Sequence, residues 1–268
     1  MTEPLLPLDG ETARRLAASP LVVLLDVDGT LAPIAGRPDQ AVVPPETRRA
    51  VAALTVRSGV HVALVSGRAA ADARRLVSVG NVWVIGNHGY EILGPAGEEC
   101  VDAQLVPYRA AVAAAARRLE PRLRSVPGIF FEDKGWTLSV HYRLADAAVV
   151  PRVRGIVEEA ALSLGLRTTE GKGVLEVRPP ATIDKGTAVL TLAARLGLRR
   201  ERGAAVFIGD DRTDEDAFRA LRAWSASAVT VRVQEDAGAP PAATAAEFVV
   251  ESPEDVRVFL EWLAAARP

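Results

Sequence analysis

The chain has 268 residues, room for about two domains or one large one with a sizeable core. Its 49% hydrophobic and 25% charged residues exclude a mainly disordered state, and 32 basic against 34 acidic residues, a net of −2, supply no field to hold nucleic acid or an anionic membrane. The single cysteine, Cys100, excludes an intrachain disulfide and a multi-cysteine metal site, which fits a reducing cytoplasm, and no run approaches the roughly 18 apolar residues that span a bilayer.

In chain order the first element is a buried strand, Leu21 to Leu25. Arg14 and Arg15 ahead of it imitate a twin-arginine export signal, but no small-residue cleavage site follows and the run ends at Asp26 and Asp28. A helix over Pro45 to Arg57, a strand Val60 to Val65, a helix over Arg68 to Val79 and a strand Val82 to Ile85 continue the alternation. Buried strands alternating with helices predict right-handed crossovers and an α/β fold with a doubly wound, mostly parallel sheet. From about residue 104 the rhythm changes to a helix Tyr108 to Leu119, strand pairing over Ile129 to Tyr142, a helix Val150 to Leu164 and strand pairing over Arg167 to Val177. This α+β stretch is read as an inserted cap domain, 104–178, within a core of 1–103 and 179–268, with Pro107 and Pro179-Pro180 as hinges. The core resumes with a helix Lys185 to Leu196, capped by Asp184 and stopped by Gly197, and strands Ala204 to Ile208 and Val229 to Val233. A last helix opens on a capping box from Ser252 to Asp255 with Pro253 at its first position.

Acids stand where open α/β sheets bind ligands, past the carboxyl ends of strands. Asp26-Val27-Asp28-Gly29-Thr30 follows the first strand, and a pair of turn aspartates is the plain alternative there. Gly209-Asp210-Asp211-Arg212-Thr213-Asp214-Glu215-Asp216 follows a later strand. Acids favour a helix start, but so many together repel one another, which a divalent cation relieves. Oxygen-only ligands without histidine or thiol select a hard ion and suit Mg²⁺. Ser66, in Leu64-Val65-Ser66-Gly67-Arg68, can hold a phosphate oxygen or simply cap a helix. Lys185 opposes the dipole in the first turn of its helix, a small cost that a bound anion would reverse and that solvent would tolerate.

In the order Asp-x-Asp, Ser, Lys, Gly-Asp-Asp-x-x-Asp, these motifs resemble the haloacid dehalogenase superfamily from Asp26 to about Asp216, with the insertion as its cap. More narrowly, Gly86-Asn87-His88-Gly89-Tyr90-Glu91, Glu132-Asp133-Lys134, His141-Tyr142-Arg143, Glu170-Gly171-Lys172, Glu176-Val177-Arg178-Pro179 and the Gly209 motif look like trehalose-6-phosphate phosphatases. Val27 stands where that family usually has an aromatic residue and is expected to pack inward.

The resemblance implies Mg²⁺-dependent hydrolysis of trehalose 6-phosphate to trehalose and phosphate through an aspartyl-phosphate. Asp26 is then the nucleophile, ionised at neutral pH without a base. Asp28 is the general acid and base and must hold a proton, which partial burial and neighbouring carboxylates would favour. Ser66 and Lys185 clamp the phosphoryl group, and Mg²⁺ falls to Asp26, the Asp28 carbonyl and Asp210, with Asp211 and Asp214 ordering water or Lys185. Arg68, Asn87 and His88 would contact substrate from the core, and Glu132, Arg143, Lys172 and Glu176 the distal sugar from the cap, which closes to exclude water. His61 and His141 are expected to be structural, and Trp136 and Tyr142 packing residues. Other sugar-phosphate phosphatases or phosphomutases of the superfamily, or a non-catalytic sugar-phosphate-binding module, remain alternatives; a pure binder has no need of the second aspartate. The expected partner is a small sugar phosphate, with a monomer as the default.

Overall fold

Leu21–Leu25 are all fully buried, as a strand covered on both faces must be. Each such side chain contributes roughly 1.5–3 kcal/mol of burial energy. The computed structural model describes residues 3–6, 8–171, 173–234 and 243–268. Its strands are β1 (Glu3–Pro4), β2 (Leu21–Leu25), β3 (Val60–Val65), β4 (Trp83–Gly86), β5 (Glu91–Leu93), β6 (Glu99–Cys100), β7 (Phe130–Asp133), β8 (Leu138–His141), β9 (Arg167–Gly171), β10 (Val174–Arg178), β11 (Ala204–Gly209), β12 (Val229–Val233) and β13 (Phe248–Val250). Its helices are α1 (Gly10–Leu16), α2 (Pro45–Thr55), α3 (Ala70–Val77), α4 (Val106–Leu123), α5 (Val150–Ser163), α6 (Lys185–Arg195), α7 (Asp214–Trp224) and α8 (Pro253–Ala265). The chain divides into two units, Met1–Cys100 with Ile183–Pro268, and Val101–Thr182.

The first unit is built on a sheet in the order β1-β13-β12-β11-β2-β3-β4-β5-β6. Its pairs are parallel from β1 through β4. Only the edge pairs β4/β5 and β5/β6 are antiparallel. Period-two alternation sends Val23, Leu25, Val62, Leu64, Val206 and Ile208 to one face, against α2, α3 and α8. Val22, Leu24, Ala63, Val65 and Phe207 go to the other, against α6 and α7. The result is the doubly wound, three-layer arrangement that alternating elements require.

The second unit is an antiparallel sheet, β7-β8-β10-β9, with α4 and α5 on one face. Leu138, Val140, Leu175 and Val177 pack beneath Val112, Leu119, Val153 and Val157. On alternate positions Glu132, Ser139, Glu176 and Thr169 stand opposite one another in a single row across the sheet.

Several local expectations are corrected. Pro107 is no hinge but sits in the first turn of α4, where a missing N–H costs nothing. α4 continues to Leu123 through Pro121 rather than ending at Leu119. At α8, Ser252 caps Asp255, but the Asp255 carboxylate returns to the Glu251 N–H and the Ser252 hydroxyl, so the reciprocal backbone bond falls one residue early. The reciprocal box is found instead at α6, between Asp184 and Thr187. Tyr142 is not simply packing, since its hydroxyl donates to Glu170 Oε1 at 2.6 Å. Val27 and Trp136 are buried as expected. No helix among the described residues is long and apolar enough to cross a membrane.

Candidate active site

β2 and β11 pair in register, Leu25 opposite Ile208, so Asp26 and Asp210 leave neighbouring strands at the carboxyl edge. The Asp26 N–H extends the ladder by donating to Ile208 O at 2.9 Å. Gly29, at φ +87°, lies against Asp210, and a Cβ there would collide with its carboxylate. Only glycine meets both demands. Thr30, assigned no role from the motifs, is buried and donates to Asp210 Oδ1 at 3.4 Å.

Lys185 opens α6 behind the Asp184 cap, and its side chain runs into the interior until only 2% is exposed. Its ammonium donates to Asp26 Oδ1 at 2.6 Å and to Asp214 Oδ1 at 2.7 Å, and stands 4.0 Å from Asp211. These carboxylates answer the unfavourable dipole at the helix start. Burial alone would lower the Lys185 pKa, but Asp214 and Asp26 outweigh it and hold the ammonium well above its ordinary range. Burial pushes the Asp26 carboxyl well up, against the pull of Lys185 and with the help of Asp214 and Asp210. Asp214 is pushed up to about 6 by the same cause.

Asp214 engages Lys185, one of the roles expected of it, and takes a second task as well. Asp214 Oδ2 accepts the N–H groups of Asp210 and Asp211, both at 3.0 Å, so it shapes the loop while its other oxygen holds Lys185. Asp211 belongs to the start of α7: its Oδ1 accepts from Thr213 N, Thr213 Oγ1 and Asp214 N, and its side chain is 46% exposed. One carboxylate oxygen from each of Asp26, Asp210 and Asp214 lies within 4.8 Å of the others, all three residues buried. Three buried carboxylates gathered with one buried ammonium carry a surplus of negative charge, and their all-oxygen donor set fits Mg²⁺.

Asp28, expected among carboxylates, is paired with a cation. Arg68 donates to it from Nε at 2.7 Å and Nη2 at 2.6 Å, with the Asp28 side chain 40% exposed. This bidentate fork also reaches Pro38 O at 2.8 Å. Arg68, expected to contact substrate, is thus engaged with the acid/base candidate. Ser66 follows β3, buried, its Oγ accepting the Arg68 N–H at 3.1 Å. Asn87 is fully buried and its amide donates to Glu91 Oε1, so it holds the loop together. The His88 ring lies against Gly67, leaving no room there for a Cβ.

In the second unit Glu132, Lys134, His141, Glu176 and Arg178 form one charged network. Lys134 Nζ is 3.9 Å from Glu132 and 3.5 Å from Glu176, Arg178 Nε donates to Glu176 Oε2 at 2.7 Å, and His141 Nε2 is 3.1 Å from Glu132 Oε2. Lys134 and Arg178, quoted in motifs but given no site role, are therefore partners of the two glutamates. Arg143 follows β8 with the root of its side chain against Gly173. Lys172 lies outside the described residues.

The chain is 36% identical over 259 residues to a trehalose-phosphate phosphatase of Mycobacterium marinum, covering 96% of itself and 63% of that protein. It is equally similar, at 36% over 245 residues and 90% of itself, to a Mycobacterium tuberculosis protein described as an uncharacterized glycosyl hydrolase. There it spans 18% of the length, so the chain corresponds to less than two thirds of either relative. Its fold is shared with the crystal structure of a trehalose-6-phosphate phosphatase related protein, at a TM-score of 0.78 and 24% identity over 91% of this chain and 97% of that one. The profile of the trehalose-phosphatase family matches residues 24–254, and the chain belongs to that family.

Proposed function

We propose that the protein is a Mg²⁺-dependent phosphatase that hydrolyses trehalose 6-phosphate to trehalose and inorganic phosphate in the cytoplasm, where a chain with a single cysteine needs no disulfide. The observation that carries the reading is the buried Asp26 beside Lys185 and the paired acids of the Asp210 loop. Family membership supports the substrate, since relatives that match this chain are named for it.

An Asp26 carboxylate oxygen attacks phosphorus and the bond from phosphorus to the sugar oxygen breaks, giving an aspartyl-phosphate. Asp28, once released from the Arg68 fork and protonated, gives its proton to the departing sugar oxygen, then takes one from the water that attacks phosphorus and releases Asp26. Lys185 and Ser66 hold phosphoryl oxygens during both displacements. Mg²⁺, when bound at Asp26, Asp210 and the Asp28 carbonyl, supplies positive charge against the transferring phosphoryl group. The charged face of Glu132 and Glu176, with Arg143 and Lys172, reads the sugar hydroxyls, because polar groups left unpaired by a wrong sugar reject it strongly. This specificity sits in residues 104–178, apart from the phosphate chemistry.

Phosphate release with Mg²⁺ from trehalose 6-phosphate, sucrose 6-phosphate and glucose 6-phosphate tests the reading, with Asp26→Asn alongside. Release is expected from the first substrate and to vanish in the variant. Equal rates on all three sugars remove the specificity, and undiminished release by Asp26→Asn removes the nucleophile.

A further inference from the structure

Glu91 has no part in the chemistry above, yet its carboxylate lies where three segments framing the site meet. The N-cap of α3, Ala69, offers no side-chain acceptor. Glu91 Oε1, arriving from β5, accepts the Ala70 N–H instead, at 2.6 Å. The same oxygen accepts the Asn87 amide at 2.7 Å. Gly86 makes room for this: a Cβ there would come within 2.5 Å of the Ala70 nitrogen and 2.6 Å of Glu91 Oε1. Asn87 and His88 both take left-handed backbone, φ 51° and 56°, a conformation that surroundings must enforce on residues other than glycine. The turn they make is sewn to the loop after β3, with Asn87 N–H donating to Arg68 O at 2.7 Å and His88 N–H to Ser66 O at 3.0 Å.

We propose that Glu91 is a positioning residue: one carboxylate oxygen locks the strained Asn87-His88 turn to the start of α3, and through that turn sets Ser66 and Arg68. The inference rests on the phosphatase reading, in which Ser66 holds phosphate and Arg68 engages Asp28. Both of these bonds end on the acceptor oxygen Oε1. Glutamine keeps that oxygen; alanine removes it.

The test compares wild type, Glu91→Ala, Glu91→Gln, Asn87→Ala and the Glu91→Ala/Asn87→Ala double variant, well below the unfolding temperature of the least stable. It reads kcat and KM for trehalose 6-phosphate and for p-nitrophenyl phosphate, and calorimetric binding of inorganic phosphate with Mg²⁺. Glu91→Ala is expected to lose on the order of 10-fold to 100-fold in kcat/KM on both substrates, as a small misplacement of a clamp does. Phosphate binding weakens in parallel, Glu91→Gln recovers most of each loss, and the double variant is little worse than the poorer single. Glu91→Ala within about threefold of wild type, or equal losses in the glutamine and alanine variants, overturns the proposal; additive losses in the double variant do so as well. A wild type that releases no phosphate defeats the phosphatase reading instead, and phosphate binding still decides the role of Glu91.

Discussion

Replacing Lys185 by methionine keeps most of the length of the side chain and removes its charge from between Asp26 at 2.6 Å and Asp214 at 2.7 Å. Breaking a buried ion pair by deleting one partner costs about 3–5 kcal/mol, because the other charge stays buried without it. The two carboxyls can escape that cost by taking up protons, at about 1.4 kcal/mol for each pH unit above their pKa. Both are already pushed upward by burial, and the loss of Lys185 removes the main force opposing that shift. The penalty is therefore largest in alkaline solution, about 3–5 kcal/mol near pH 8, and shrinks to about 1–2 kcal/mol near pH 5. At roughly 2–4 °C per kcal/mol for units of this size, the metal-free variant melts roughly 6–20 °C below wild type near pH 8. Thermal unfolding by circular dichroism in EDTA, at both pH values, reads this directly. A loss below about 1 kcal/mol near pH 8, or a loss that grows in acid, refutes the reasoning.

The same shifts set the pH dependence of metal stabilisation. Asp26 and Asp214 bind protons more tightly folded than unfolded, so their contribution to metal-free stability is present below the ordinary value of 3.8 and lost as pH rises through the folded value, about 6 for Asp214. Mg²⁺ should accordingly raise the melting temperature much more near pH 7.5 than near pH 4.5, and equal shifts at the two would contradict the carboxylate site. Gly29→Ala should cost about 1–3 kcal/mol of backbone strain and about 100-fold in kcat by displacing Asp210, whereas Gly36→Ala, with nothing within 4 Å of the added Cβ, should leave turnover unchanged. Glu176→Ala should depress turnover of the disaccharide far more than that of p-nitrophenyl phosphate; parallel losses on both would speak against sugar reading by this face.

What could be read from the sequence was what local pattern determines. The runs Leu21–Leu25, Val60–Val65 and Val229–Val233 became strands with those same ends, because strands buried on both faces are rich in β-branched and apolar residues, interrupted here only by His61, Thr230 and Arg232. The short strands Glu91–Leu93 and Glu99–Cys100 at one end of the sheet carry no such run, and their pairing comes from tertiary contact alone. At the site, motif spacing marked Asp26, Asp210, Asp214 and Lys185, which the fold gathers. It did not separate Asp214, which bonds two amides and Lys185, from Asp211, which accepts the Asp214 N–H ahead of α7, since both stand in the same acidic run. Nor did it foresee Arg68 on Asp28, a contact across 40 residues with no periodic signature.

Covalent phosphorylation of Asp26, the central step of the mechanism, can be trapped. Enzyme mixed with trehalose 6-phosphate and Mg²⁺, quenched in acid, is reduced with borohydride, which converts an aspartyl-phosphate to homoserine, and the peptides are mapped by mass spectrometry. Homoserine at position 26 in wild type, absent without substrate, is the predicted result. Phosphate release accompanied by a phosphoryl group on Ser66, or by no modification at position 26, would contradict it.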